Sequence, residues 1–341
     1  MEYTKAKNDK VHFQEESRFV IQAPHFVFFV KKQLEKEYGQ RLSSLEGEKI
    51  RTTIDLQLQK TIEDILNEAS IKFKEKHNGE NLAAVVLSTK TGEILSMVGS
   101  QGFFNDDIDG GVNIITSLRQ PGSTFKPIVY AKAFEKGLRP ETIVYDVATQ
   151  FTIICDKDRF ESAEKDNCYS PFNYTEKFVG PITLKSALAQ SINIPAVKVL
   201  YLAGAGEVIS LAKDMGITSF KKQPYEYGLS MALGSVEVTP IELAQAYSVF
   251  ANDGLFIPHT WKLTDTKPSA RRVIPQNVSR DITEILSDDR ARAPIFGFRS
   301  PLYIENQQVA VKTGTTNNSR DAWVVGYSPD VIVLILSLIH I

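Results

Sequence analysis

Cysteine and tryptophan are scarce in this 341-residue chain, with two of each, and there are only four methionines. Two cysteines, Cys155 and Cys168, cannot make a disulfide scaffold; they leave open two free thiols or one bridge across a hairpin tip. The five histidines are scattered without zinc spacing, so no metal site is expected. Neither sign of charge dominates: 39 basic and 41 acidic residues leave a formal net charge of −2, which gives no basic footprint for nucleic acid or an anionic membrane. No apolar run approaches the roughly 18–20 residues of a membrane helix. Met1–Lys10 is polar and no apolar core with a cleavage site follows, so no signal peptide is expected. With 43% hydrophobic and 23% charged residues, the composition is that of an ordinary globular chain, not a disordered one.

Residues 1–47 are charged and mixed, apart from Phe26–Val30, which leads into a helix over Lys31–Tyr38 ending at Gly39. This stretch reads as a linker or a packed-on arm. Lys49–Ile54 reads as a short strand. Asp55 is a good N-cap for a helix carrying Leu58, Ile62, Ile65, Leu66, Ala69 and Phe73 at helical spacing and ending at Asn78-Gly79. Leu82–Leu87 and Glu93–Val98 form a hairpin around Thr89–Gly92. A helix follows Gly122 and ends at Gly137; residues 138–180 read as loops. Ile182–Leu200, interrupted at Pro195, and Pro240–Ala251 read as helices. Gln308–Val311, Ala322–Tyr327 and Val331–Leu336 read as strands, the last two joined by a turn at Gly326–Asp330. A hairpin at one end and three strands at the other, with a helical middle, is an α+β layout.

Three polar elements stand out. In Pro121-Gly122-Ser123-Thr124-Phe125-Lys126-Pro127, Ser123 and Lys126 share a face if a helix begins there. Serine is a weak nucleophile without a base, and lysine serves as one only when burial or a nearby cation lowers its pKa. Pro127 sits deep enough to kink the first turn. The spacing alone is uninformative, because Ser162, Ser210 and Ser219 also precede a lysine by three and read as solvated surface pairs. Ser191-Ile192-Asn193 sits before Pro195, where serine and asparagine favour a broken helix presenting polar groups. Lys312-Thr313-Gly314-Thr315, after the apolar strand, offers a cation, two hydroxyls and a closely approachable backbone for a carboxylate. Lys90-Thr91-Gly92 repeats the tripeptide in a hairpin turn, where glycine serves the turn.

Ser-x-x-Lys, Ser-x-Asn and Lys-Thr-Gly in this order resemble the motif set of penicillin-binding proteins and serine β-lactamases. From about residue 20 to 335 the chain resembles the transpeptidase half of a class A, bifunctional penicillin-binding protein. Ala23-Pro24-His25-Phe26-Val27 resembles the inter-domain linker, and Thr52-Thr53-Ile54-Asp55 with Gln59 the domain entry. Arg119-Gln120-Pro121-Gly122, Tyr169-x-Pro171-x-Asn173-Tyr174, Ala187-Leu188, Ala232-Leu233-Gly234 and Asp321-Ala322-Trp323 fit as well.

The resemblance implies an antiparallel sheet with flanking helices and an inserted all-helical subdomain. It divides the chain into a linker remnant, 1–47, and a transpeptidase domain, 48–341, incomplete at its C-terminus. It implies D,D-transpeptidation of peptidoglycan stem peptides on the outer face of the bacterial cell membrane, no cofactor or metal, and covalent inhibition by β-lactams. Membrane association would come only through an N-terminal part this chain lacks, together with the glycosyltransferase domain. Ser123 would be the nucleophile, Lys126 the base and Ser191 a proton relay. Asn193 would hydrogen-bond the donor peptide and help hold Lys126, while Lys312 would supply positive potential and hold Ser191. Thr313, Gly314 and Thr315 would bind the terminal carboxylate, and the backbone N–H groups of Ser123 and Thr315 would form the oxyanion hole. Rival readings are a β-lactamase, for which no water-activating carboxylate motif is evident, a β-lactam sensor or scaffold without turnover, and an amidase, which leaves Lys312–Thr315 unexplained.

Overall fold

The computed structural model describes residues 21–39, 41, 47–77, 79, 81–152, 168–264, 266, 269–316 and 320–338. Helix α1 spans Pro24–Tyr38; Pro24 occupies its first turn, where a missing N–H costs nothing, and Gly39 ends it at a positive φ of 52°. The expected strand over Lys49–Ile54 reduces to one bridge, Thr52 to Lys262, because no neighbouring strand extends the pairing. Helix α2, Leu56–His77, starts at Asp55, whose carboxylate accepts from the N–H groups of Gln57 and Leu58 at 2.9 and 3.0 Å. Strands β1 (Asn81–Ser88) and β2 (Ile94–Val98) form the expected hairpin, with the Lys90-Thr91-Gly92 copy in its turn.

A four-residue 3₁₀ turn, Gly122–Phe125, runs into helix α3, Lys126–Glu135. Pro127 falls within the first two positions of α3, so it removes no helical bond and the expected kink is not needed. The region expected as loops holds two short strands that pair with each other, β3 (Ile143–Asp146) and β4 (Gly180–Thr183). Cys168 is disulfide-bonded, which closes the free-thiol reading for it; Cys155 and the Ser162 decoy lie outside the described residues. The expected long helix is two, α4 (Leu184–Ala189) and α5 (Asn193–Ala203). The break precedes Ser191-Ile192-Asn193 rather than falling at Pro195, which sits harmlessly in the first turn of α5. Helices α6 (Ala205–Asp214) and α7 (Pro240–Ala251) follow, then a ribbon of β5 (Leu255–Phe256) and β6 (Arg271–Arg272), helices α8 (Gln276–Ser287) and α9 (Asp289–Phe296), and strands β7 (Ala310–Thr315), β8 (Asp321–Tyr327) and β9 (Val331–Leu338). The inserted middle is thus mostly helical, with two small ribbons.

The five-stranded sheet has the order β2-β1-β9-β8-β7 with every pair antiparallel. Alternation separates its faces. Ala83, Val85, Leu87, Val325, Leu334 and Leu336 point inward, into one core with the buried helices α3, α5 and α7. Leu82, Ala84 and Val98 point outward, against Leu66, Ile62 and Ala69 of α2. The buried face of α1, with Phe26, Phe29 and Val30, packs beside β2 and joins the main core. Farther along the outer face, Val324, Val333 and Ile335 line an apolar groove of about 480 Å³, with Leu302 and Ile304 on its rim. Among the described residues no single helix is long and apolar enough to cross a membrane; α5 and α6 reach that hydropathy only together, bent by 90°.

Candidate active site

Strand β7 is the edge of the sheet, and the chain before α3 runs along it. The N–H of Thr316 donates to the carbonyl of Asp321, so alternation turns the backbone groups of Thr315 and Thr313 away from β8. They face the 3₁₀ turn: a Cβ built on Gly122 would lie 2.6 Å from the carbonyl oxygen of Thr315. A Cβ on Gly314 would lie 2.6 Å from the carbonyl oxygen of Pro121, and one on Gly234 would lie 2.2 Å from that of Gly122. Three segments therefore meet backbone to backbone around Ser123, and only glycine permits the approach. Lys312 to Thr315 lie within β7, not after a strand ending at Val311 as the sequence suggests. The strand continues because each of these residues pairs with β8, and glycine's low strand preference is overridden by that pairing.

Lys126 is fully buried one residue into the α-helix. Its Nζ donates to the carbonyl of Ser191 at 2.6 Å and to Asn193 Oδ1 at 2.7 Å; the Ile192 carbonyl is 3.3 Å away and Ser191 Oγ 3.5 Å. The helix break supplies all four acceptors. Ser191 takes a left-handed φ of 60°, which turns its carbonyl and hydroxyl toward the lysine. From the other side Lys312, also buried, donates from Nζ to Ser191 Oγ at 2.8 Å and to the Thr313 carbonyl at 2.8 Å. The Ser191 hydroxyl thus lies between two lysine nitrogens.

Burial penalises both ammonium groups. It brings Lys312 from 10.5 down to about 7. Burial, and next the Lys312 charge, push Lys126 far below the ordinary lysine range. A neutral Lys126 amine has two N–H bonds, and its two shortest contacts use them. It keeps a lone pair besides, and Ser123 precedes it by three residues in the 3₁₀ turn that leads into the helix. Ser123 is half-buried, and its hydroxyl has no hydrogen bond among the described residues. As the second residue of the helical run, it has an N–H without an intrahelical acceptor. The arrangement provides a serine oxygen, an amine whose charge burial disfavours, a hydroxyl bridge to a second amine, and backbone donors on two sides.

All five residues that the sequence singled out for chemistry, Ser123, Lys126, Ser191, Asn193 and Lys312, come together here. Thr313 and Thr315 lie alongside on one face of β7, half-buried and exposed respectively. Two other Ser-x-x-Lys copies are elsewhere: Ser210 and Lys213 are exposed, as expected, but the Ser219 hydroxyl bonds to Glu242. Sequence reasoning missed the support for Asn193. Asn173, which entered only as part of a familiar motif, and Asp146 lie directly behind it.

Comparison with known proteins identifies the family and the fold. The penicillin-binding protein transpeptidase domain family matches residues 82–339. Penicillin-binding protein 1A of Aquifex aeolicus (strain VF5) is 36% identical over 262 residues, covering 73% of this chain and 33% of its own length. Penicillin-binding protein 2D of Bacillus subtilis (strain 168) is 30% identical over 325 residues, covering 90% of this chain and 44% of its own. The chain spans about a third of the first curated relatives it matches. Among solved structures, penicillin-binding protein 1A from Haemophilus influenzae superposes with a TM-score of 0.77 at 18% identity, over 98% of this chain and 68% of that one. PonA1 of Mycobacterium tuberculosis in complex with penicillin V gives 0.72 at 20% identity, over 93% and 84%. Both share the fold.

Proposed function

Since the chain belongs to the transpeptidase domain family of the penicillin-binding proteins, we propose that it is a serine acyltransferase joining peptidoglycan stem peptides on the outer side of the bacterial cell membrane. The observation that carries this reading is the Ser191 hydroxyl between Lys126 and Lys312, with burial lowering the Lys126 pKa and Ser123 three residues before it in the same helical run.

Ser123 Oγ attacks the carbonyl carbon of the penultimate D-Ala as Lys126 takes its proton. The developing oxyanion lies between the N–H groups of Ser123 and Thr315. The C–N bond to terminal D-Ala breaks. The proton passes from Lys126 through Ser191 to the leaving amine, and the acyl group remains on Ser123. An amine of a neighbouring stem peptide attacks this ester, gives up a proton by the reverse route and frees Ser123. Water in its place gives carboxypeptidase activity. Thr313 and Thr315, with the Lys312 charge, hold the substrate's terminal carboxylate, with Gly314 keeping the strand close to the serine turn. Asn193 contributes its amide to the donor peptide. In this reading residues 1–47 are the segment that joins the domain, 48–341, to a preceding one. A β-lactam presents the same carboxylate and a strained amide carbonyl, and penicillin V occupies the similar PonA1 structure.

Intact-protein mass after incubation with a penicillin tests the proposal. A persistent adduct of the drug's full mass on the wild type, and none on Ser123→Ala, is expected. Loss of the drug by hydrolysis within minutes would make the protein a β-lactamase. A cooperatively melting wild type that takes no adduct would overturn the assignment of Ser123. Turnover of a D-Ala-D-Ala stem-peptide analogue, with release of D-Ala, separates the enzyme from an acylatable sensor.

A further inference from the structure

Behind the lysine pair is a buried carboxylate that the reaction above does not use. Asp146, the last residue of β3, is fully buried. Both its oxygens accept from Asn173 Nδ2 at 2.9 Å, and Oδ2 also accepts from the N–H of Val179 at 2.9 Å. Asn173 Nδ2 donates in addition to the Lys177 carbonyl at 2.8 Å. With its NH₂ end so committed, the amide of Asn173 has one orientation left. Its Oδ1 meets the start of α5 and accepts from the N–H groups of Asn193 and Ile194 at 3.0 and 3.3 Å. Helix α5 has no cap of its own, since Ile192 stands at the N-cap position without a side-chain bond. Asn173 supplies that acceptor from twenty residues upstream.

The adjacent residue completes the grip. The Phe172 carbonyl accepts from Asn193 Nδ2 at 2.8 Å. This fixes the Asn193 amide in turn, and its Oδ1 is left for Lys126. The same cap immobilises the peptide run 191–193, whose carbonyls supply the other contacts to Lys126.

We propose that Asn173, oriented by Asp146, is a positioning residue for the acyl transfer: through Asn193 and the helix break it sets the direction in which the Lys126 amine faces Ser123. The proposal rests on the serine–lysine reading above. Neither residue touches the substrate. Removing the cap lets the acceptors around Lys126 turn, and the lone pair loses its aim.

Three variants and three readouts test it. The readouts are penicillin acylation resolved into a binding constant and an acylation rate constant, a thermal melt, and amide exchange at Asn193 and Ile194. Asn173→Leu is expected to slow the acylation step by about tenfold to a hundredfold, the scale on which misplaced reacting groups lose rate, with drug binding little changed. Asn173→Asp places two carboxylates together and is expected to be as slow. Asn173→Asp combined with Asp146→Asn exchanges the two polarities. A carboxylate then receives the two helix amides while an amide donates to it; its other oxygen faces the Lys177 carbonyl, so recovery is partial, and the rate should rise at least about threefold above that of Asn173→Asp. A double variant as slow as Asn173→Asp, or an Asn173→Leu protein whose binding and melting fall in step with acylation, would overturn the proposal. Exchange decides the clamp without penicillin: faster exchange at Asn193 and Ile194 in Asn173→Leu supports it, and unchanged protection refutes it. A wild type that takes no drug would refute the acyl-transfer reading instead.

Discussion

At the scale of single residues, Lys312 couples the site to pH. Its folded-state pKa is about 7 against an ordinary 10.5. Below pH 7 the folded and unfolded chains both carry the proton, and the full desolvation penalty weighs on the fold. Between 7 and 10.5 the folded chain is neutral while the unfolded one is still charged, so this group's contribution to stability rises with pH. Lys312→Met removes the penalty, and the variant is expected to be more stable than wild type by about 1 kcal/mol or more at pH 6.5, in line with the stability commonly gained when functional strain is removed. The gain should shrink as pH is raised toward 10. Melting curves of the two proteins at several pH values measure this; a constant difference would show that the charge is not the cause. The same variant should react with penicillin far more slowly, because Ser191 loses the partner on its far side. What the sequence shows at this scale is residue type and order. Ser123, Lys126, Ser191, Asn193 and Lys312 were legible because their spacing along the chain is distinctive. The left-handed φ of Ser191 was not, because glycine or asparagine ordinarily marks that conformation and here tertiary contacts impose it on serine. Asp146 was invisible, being one of many carboxylates until β3 buries it.

Elements are held at the site by backbone contact more than by side chains. Gly234 has a φ of 77°, and a Cβ there would collide with Gly122 backbone atoms 2.2 to 2.5 Å away. Gly234→Ala is expected to destabilise the protein by about 2–4 kcal/mol, combining left-handed strain with overpacking. Gly137 is the control: its φ is 100° but nothing lies within 4 Å of a new Cβ, so Gly137→Ala should cost about 1 kcal/mol. Urea unfolding of the two variants measures the difference, and equal losses would mean the close approach is not tight. Phe26 tests α1 in the same way. It is 2% exposed, and Phe26→Ala should cost about 3–5 kcal/mol if the helix belongs to the core rather than hanging beside it. Legibility at this scale followed pattern strength. The helix Pro240–Ala251 and the pairing of β8 with β9 are as read, because apolar spacing and turn residues agree. The strands β3 and β4 were missed because their four-residue sequences, one containing Gly180-Pro181, carry no alternating apolar face. Lys49–Ile54 alternates well but meets only one partner.

Over the whole molecule, the two faces of the sheet have separate fates. The inner face packs the core, the edge strand β7 carries the site, and the outer groove by Val324, Val333 and Ile335 is apolar and open. An apolar fluorescent dye such as ANS is expected to bind the native protein there, and Val333→Asp should abolish its fluorescence while leaving the penicillin reaction rate unchanged. Dye fluorescence that survives the substitution would place the binding elsewhere. The order of the sheet has a different consequence. Val85 of β1 pairs with Leu334 of β9, so the central pairing joins nearly opposite ends of the described chain. Such a contact closes a very long loop, at a cost that grows with the logarithm of the loop, and is expected to slow folding. The serine turn, the helix break and the edge strand all lie inside that loop, and none of them holds a reactive arrangement alone. If Ser123 is the nucleophile as proposed, a molecule that has not closed its sheet lacks the assembled site, and a labelled penicillin is expected to react only with finished ones. On that reading the drug would count correctly assembled molecules one by one, a gauge of refolding yield.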